Sequence, residues 1–147
     1  YKESIKMGED LLFNLEYANY ASNYEYITQP LYKYNVETVG SALKLTRLSY
    51  IHDYTQIYNY LLTYYSEKKF EKYKDVVYFM NGMFMNLAGV DYDLKHPIIE
   101  EFEKSQLFID ISNEHLVSKK LKLKQWFIVK HIYRNRFMKE FVKRVFI

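Results

Sequence analysis

The stretch Gly8-Glu9-Asp10-Leu11-Leu12-Phe13-Asn14 places two adjacent carboxylates directly after a glycine and at the head of an apolar-periodic run. A carboxylate can take the proton from an attacking hydroxyl, provided it is ionised when the hydroxyl arrives. Leu11, Leu12, Leu15 and Ala18 recur at helical spacing, which predicts a helix with Glu9 and Asp10 in its first turn. Free backbone N–H groups and the positive end of the helix dipole there favour the ionised form. Acidic residues at helix starts are also ordinary where no catalysis occurs, so the pair defines a chemistry without defining a function.

Little else in the chain has the spacing of a reactive site. His52, His96, His115 and His131 are scattered, and no two stand four apart as zinc-binding pairs on a helix do. His52-Asp53 has the makings of an oriented pair, but on a surface helix such neighbours are usually incidental. The four glycines never form Gly-x-Gly, so there is no phosphate-cradling loop. No serine stands in a nucleophile elbow. Cysteine is absent, which removes disulfides, thiolate metal sites and cysteine nucleophiles together. This stretch of chain holds no complete active site.

The elements that must position these residues are mostly helical. A first helix is expected from Glu9 to about Ser22, with Asn23 as its stop. Glu25 to Thr28 reads as a short β-type run that Pro30 ends or places at an edge. Leu31 to Val36 alternates, with Tyr32, Tyr34 and Val36 on one face, as a half-buried strand does. Helical patterns then span Leu45 to about Lys69 and Glu71 to Leu87. The second is apolar enough to be central, and Gly82 within it marks a close helix contact. Pro97 suits the first position of a helix running to about Asp110, and Ser112 or Asn113 suits the cap of another near His115. Lys119 to Lys124 is compatible with helix or strand, and Gln125 to Ile147 with one or two helices. The expected fold is mainly α, with a short β-hairpin or edge-strand segment near the N-terminus. Two domains are expected, 1–44 and 45–147.

Gly8-Glu9-Asp10-Leu11-Leu12-Phe13, followed by Tyr26-Ile27, Pro30-Leu31-Tyr32, Tyr34 and Ser41, resembles the second half of a family-two glycosyltransferase. Bacterial members that build cell-surface polysaccharides are the nearest in pattern. The resemblance covers roughly the first forty residues. It implies that the N-terminal segment is the end of an α/β GT-A catalytic domain, and that a helical C-terminal region follows. It implies Asp10 as the catalytic base of an inverting sugar transfer, with Glu9 beside it in the acceptor pocket, because the family pattern usually gives the role to the last residue of the pair. Tyr32, Tyr34 and Ser41 are weaker substrate-positioning candidates. A nucleotide-sugar donor, a saccharide or lipid-linked acceptor, and a divalent Mg or Mn ion are implied for the parent enzyme. The metal ligands would lie upstream of Tyr1, and the fragment alone is expected to be inactive. Asp91-Tyr92-Asp93 has the Asp-x-Asp form of that metal motif, but it stands downstream of the Glu-Asp pair, where a solvated loop is the simpler reading.

Charge supplies the second signal. Residues 1–118 carry 11 Lys and Arg against 17 Asp and Glu, a net of −6. Residues 119–147 carry 10 Lys and Arg against Glu140 alone, a net of +9. Such asymmetry points to an anionic partner. Within 137–147, Phe137, Met138, Phe141, Val142 and Val145 fall on one half of a helical wheel, and Lys139, Glu140 and Lys143, with Arg136 just before them, on the other. A basic amphipathic helix can lie in the headgroup layer of an anionic membrane, or pack its apolar side on the domain with its charges in water. The second reading is the commoner. No recognition motif supports nucleic-acid binding, and the body is acidic. The 17 Tyr and 10 Phe are attributed to AT-rich codon usage, with tyrosine filling cores and their rims. No apolar run reaches the ~20 residues that cross a bilayer. The expected location is the cytoplasm, with peripheral attachment to the inner membrane face as the alternative. A non-enzymatic helical association or membrane-docking module is the competing function.

Overall fold

The run Val76, Val77, Phe79, Met80, Met83, Phe84, Leu87 is apolar on more than one side, and a helix of that kind has to be enclosed by others. In the computed structural model it forms α3 (Lys72–Gly89), which touches α2 (Leu48–Tyr65), α5 (Gln106–Asn113), α6 (Lys119–Val129) and α7 (Arg136–Phe146). The structure describes residues 5, 8–23, 25, 27–30, 48–65, 72–90 and 95–146. The chain divides into two units, Tyr1–Leu45 and Thr46–Ile147.

The first unit contains α1 (Glu9–Tyr20), entered through Gly8 at φ 85°, a left-handed backbone that glycine adopts without strain. The helix ends at Tyr20, with the Ala21 N–H bonded to the Tyr17 carbonyl, two residues before the expected end. No strand occurs among the described residues. Glu25, Ile27 and Thr28, expected as a β-type run, adopt no regular structure. All three are solvent-exposed, so extending them would bury nothing and leave both faces of a strand in water. The expected strand Leu31–Val36 lies outside the described residues.

The second unit is helical throughout its described part. Pro97 opens α4 (Pro97–Glu103) at the expected place, and the His96 ring nitrogen accepts the Ile98 N–H at 3.3 Å. The single helix expected from Pro97 to Asp110 is two helices. Ser105 separates them: its hydroxyl donates to the Phe102 carbonyl at 2.6 Å and accepts the Phe108 N–H at 3.2 Å. One serine thus ends α4 and caps α5, as side-chain hydroxyls do when they compete with backbone bonding. Ser112 and Asn113 are not caps; they form the last turn of α5, and residues 114–117 lead to α6. The 119–124 segment, left open between helix and strand, is helix.

The core is built from tyrosine and phenylalanine as much as from aliphatics. Tyr50, Tyr54, Tyr58 and Tyr133 are all buried. Phe79 receives the edges or faces of Tyr54 at 5.8 Å and Tyr58 at 5.3 Å, near-perpendicular arrangements that the ring quadrupoles favour. Tyr58 donates its hydroxyl to Asp110 at 2.7 Å, and Gln106 donates to the other carboxylate oxygen at 3.0 Å. Burial, and then the hydrogen bond and charge of Asp110, push the Tyr58 pKa far up. Burial also raises Tyr54, to about 12.

Gly82 lies where α3 crosses α2. A Cβ there would stand 2.6 Å from Tyr54 Cζ and 2.7 Å from its Cε2. Alanine in a helix gains roughly 1 kcal/mol over glycine, whereas overpacking costs about 1–3 kcal/mol. We expect Gly82→Ala to be destabilised in chemical denaturation, and the same change in a Tyr54→Leu background to be stabilising. Equal effects in both backgrounds would mean that the ring does not impose the glycine.

Candidate functional site

Three places carry the groups that chemistry or recognition would use. The first is the start of α1. Asp10 stands in the first turn and is solvent-exposed, with its Oδ1 accepting the Leu11 N–H at 2.8 Å. Phe13 and Tyr17, one turn apart on the same helix, stack with their ring centroids 6.2 Å apart, and both are largely exposed. Glu9 is in the same turn. Tyr32, Tyr34, Ser41 and the Asp91-Tyr92-Asp93 segment lie outside the described residues. Among the described residues no three His, Asp or Glu side chains come together in a group that would hold a metal ion.

The second place, which sequence reasoning missed, centres on Glu103 at the end of α4. Its carboxylate accepts from His131 Nδ1 at 3.1 Å, from Arg134 Nε at 3.0 Å, from a second Arg134 nitrogen and from the Tyr133 hydroxyl. These donors arrive from the turn that follows α6. Lys130 ends that helix, and His131 takes a left-handed backbone with φ 51°. A 3₁₀ turn, Ile132–Arg134, then redirects the chain. A left-handed residue just past a helix end is a familiar stop, though glycine or asparagine is the usual choice. Histidine is held there because its ring also stacks on Phe108, centroids 5.5 Å apart.

Burial by itself raises the Glu103 pKa. The hydrogen bonds from Arg134 and Tyr133, the arginine charge and the His131 bond outweigh that effect and hold the carboxyl below its usual range. A carboxylate saturated with donors and acidified in this way is a poor general base. We therefore assign the Glu103 cluster a positioning role: it fastens the turn between α6 and α7 onto α4. His52 finds a carboxylate partner in Glu101 on α4, at 3.0 Å, and Glu101 also accepts from Gln56 at 2.8 Å.

The third place is what that turn sets up. Asn135 Oδ1 accepts the Met138 N–H at 3.1 Å and so starts α7. Val142 is buried, and so is Lys139, only 6 % exposed, whose ammonium donates to the Val90 carbonyl at the end of α3. Phe137, Phe141 and Val145 face outward, 80 %, 55 % and 56 % exposed. The packed reading of the tail, with apolar side inward and lysines in water, is therefore only half met: the edge of the apolar face is seated and its middle is open. Arg136 and Arg144 are exposed on the same helix.

On α6, Lys119, Leu123, Trp126 and Lys130 form an exposed row at helical spacing. The inner face of that helix is secured by Phe127 against Phe84 and by Lys124, which donates to Asn81 at 2.7 Å. Burial and the neighbouring Lys120 charge lower the Lys124 pKa. An open cleft of about 520 Å³ beside α6 is lined by Glu114, His115, Leu116, Val117, Lys122 and Gln125. The Gln125 amide nitrogen is committed to the Ile111 and Glu114 carbonyls, at 2.7 and 2.8 Å, and serves as a brace.

No family model matches the chain, and no curated protein or solved structure matches it. No helix among the described residues is long and apolar enough to cross a membrane.

The Glu103 joint makes a pH prediction. Its folded pKa lies below the unfolded carboxyl value of about 4.3, so its stabilisation is complete above that pH and is lost as pH falls through the folded pKa. Glu103→Gln should lower stability at neutral pH by about 1–3 kcal/mol. The gap between native and variant should close on acidification below about pH 4.3. A gap that stays constant in urea titrations across this range would rule out the ionised carboxylate as the source.

Proposed function

We propose that this chain is the C-terminal portion of an inverting glycosyltransferase of the GT-A type, acting in cell-surface polysaccharide synthesis. In the reaction a sugar passes from a nucleotide-diphosphate donor to an acceptor hydroxyl. The observation that supports it best is the Gly8-Glu9-Asp10 helix start, with an exposed Asp10 carboxylate, in the sequence setting that resembles the family-two pattern.

Inversion needs a base on the face of the sugar opposite the leaving phosphate, so that the hydroxyl attacks as its proton departs. Asp10 is that base in this reading, and Glu9 its neighbour in the acceptor pocket. Tyr32, Tyr34 and Ser41 are assigned to substrate positioning. A nucleotide-binding region and a divalent Mg or Mn ion are assigned to the parent enzyme, where the ion would neutralise the leaving diphosphate. The parent is placed in the cytoplasm, where nucleotide sugars are used, and the 147-residue chain is inactive alone.

The outward apolar row on α7 favours a second reading, a helical association or membrane-docking module whose Glu-Asp pair is only a helix start. The two readings separate on one substitution. In the parent enzyme Asp10→Asn should reduce sugar transfer by about 10²–10⁴-fold with the circular-dichroism spectrum unchanged. Full transfer by that variant would reject Asp10 as the base and leave the module reading standing.

A further inference from the structure

We infer that α7 is a docking edge for an anionic bilayer, with Phe137, Phe141 and Val145 entering the headgroup layer and Arg136 and Arg144 resting on the lipid phosphates. The inference does not depend on the role of Asp10.

Four observations support it. First, the row is outward although an inward alternative exists on the same helix: Lys139 is buried on the core side while two phenylalanines stand in water. A helix selected only to cover the core would have the opposite arrangement. Second, Phe137, Phe141 and Val145 follow one another at intervals of four residues, a straight row about 12 Å long. Third, Arg136 and Arg144 are exposed on this helix, and Lys119, Lys120 and Lys122 are exposed on α6, with Lys130 exposed at its end. Fourth, α7 is already held in place through Lys139, Val142 and the Glu103 joint, so binding need not order it.

These features favour a lipid surface over the other occupants. A groove that grips an amphipathic helix encloses a broad face of it, but one side of α7 is seated on α3 and the 3₁₀ turn. What remains is a narrow row, which a flat, deformable surface can receive. A second copy of the chain would bring one strongly basic segment against another, and like charges at an interface are unfavourable. Anionic headgroups complement the charge, and aromatic side chains are suited to the interfacial layer.

The test is co-sedimentation of the 147-residue chain with vesicles of phosphatidylcholine and phosphatidylglycerol, and with vesicles of phosphatidylcholine alone. The chain should bind the anionic vesicles preferentially and be released by high salt. Phe137→Ser/Phe141→Ser, at exposed positions, should keep the native circular-dichroism spectrum and bind at least about tenfold more weakly. Arg136→Gln/Arg144→Gln should weaken binding to anionic vesicles and flatten its salt dependence. No binding to anionic vesicles would overturn the inference, as would equal binding to both lipids or unchanged binding by the double serine variant. A dimer in sedimentation velocity that the serine variant dissolves, without vesicle binding, would assign the row to a second copy instead.

Discussion

The direction in which the C-terminal helix faces depends on one carboxylate. Glu103 collects donors from His131, Tyr133 and Arg134, three residues within a span of four, and thereby ties the corner after α6 to the end of α4. A corner held at several points cannot rotate freely about the chain axis, so α7 leaves it with a defined roll. Lys139 then fixes that roll from the far side, through the Val90 carbonyl. Burying an ammonium is costly unless it is hydrogen-bonded, and seating it requires a particular register of the helix. Together the two interactions turn Phe137, Phe141 and Val145 toward solvent.

Behind this arrangement lies a core in which tyrosine does much of what leucine does elsewhere. Tyrosine fills volume as phenylalanine does, but each buried hydroxyl needs a partner. Tyr58 meets that need with Asp110 and Tyr133 with Glu103. The aromatic bias of the sequence therefore brings buried and half-buried carboxylates with it. Asp110 and Glu103 appear far apart in the chain from the rings they serve, and both sit on the short helices that follow Pro97. The break at Ser105 between those helices allows each carboxylate to approach a different partner.

The two signals for function are of different kinds. The Glu-Asp helix start carries a chemical reading through its resemblance to a transferase segment, and its geometry adds an exposed Asp10 at the head of α1. The C-terminal surface carries a physical reading that needs no relative: aromatic side chains in water beside a concentration of positive charge. The two proposals are compatible: an enzyme that used lipid-linked acceptors would need both a base and a surface that meets lipid. They are also separable, because each unit has its own internal contacts.

The helices after residue 45 were legible because helical periodicity is a local property, and α3 was legible as central because its apolar residues exceed one face. Gly82 was legible as a close contact because a glycine within an apolar helix has few other uses. The break at Ser105 was missed because a lone serine interrupts a helix only when its hydroxyl finds backbone partners on both sides. The β-type run expected at Glu25 to Thr28 is not met at Glu25, Ile27 and Thr28, because a β-type pattern needs a neighbouring strand and a buried face, which a short window does not reveal. The Glu103 cluster left no trace in the sequence: its members are some thirty residues apart and of common types. The sequence by itself determined that the chain is mainly helical, that its last helix is amphipathic and basic, and that two carboxylates head its first. Which face of the last helix meets water was decided by the tertiary structure, because that choice rests on contacts to Glu103 and Val90, from elements distant in the chain.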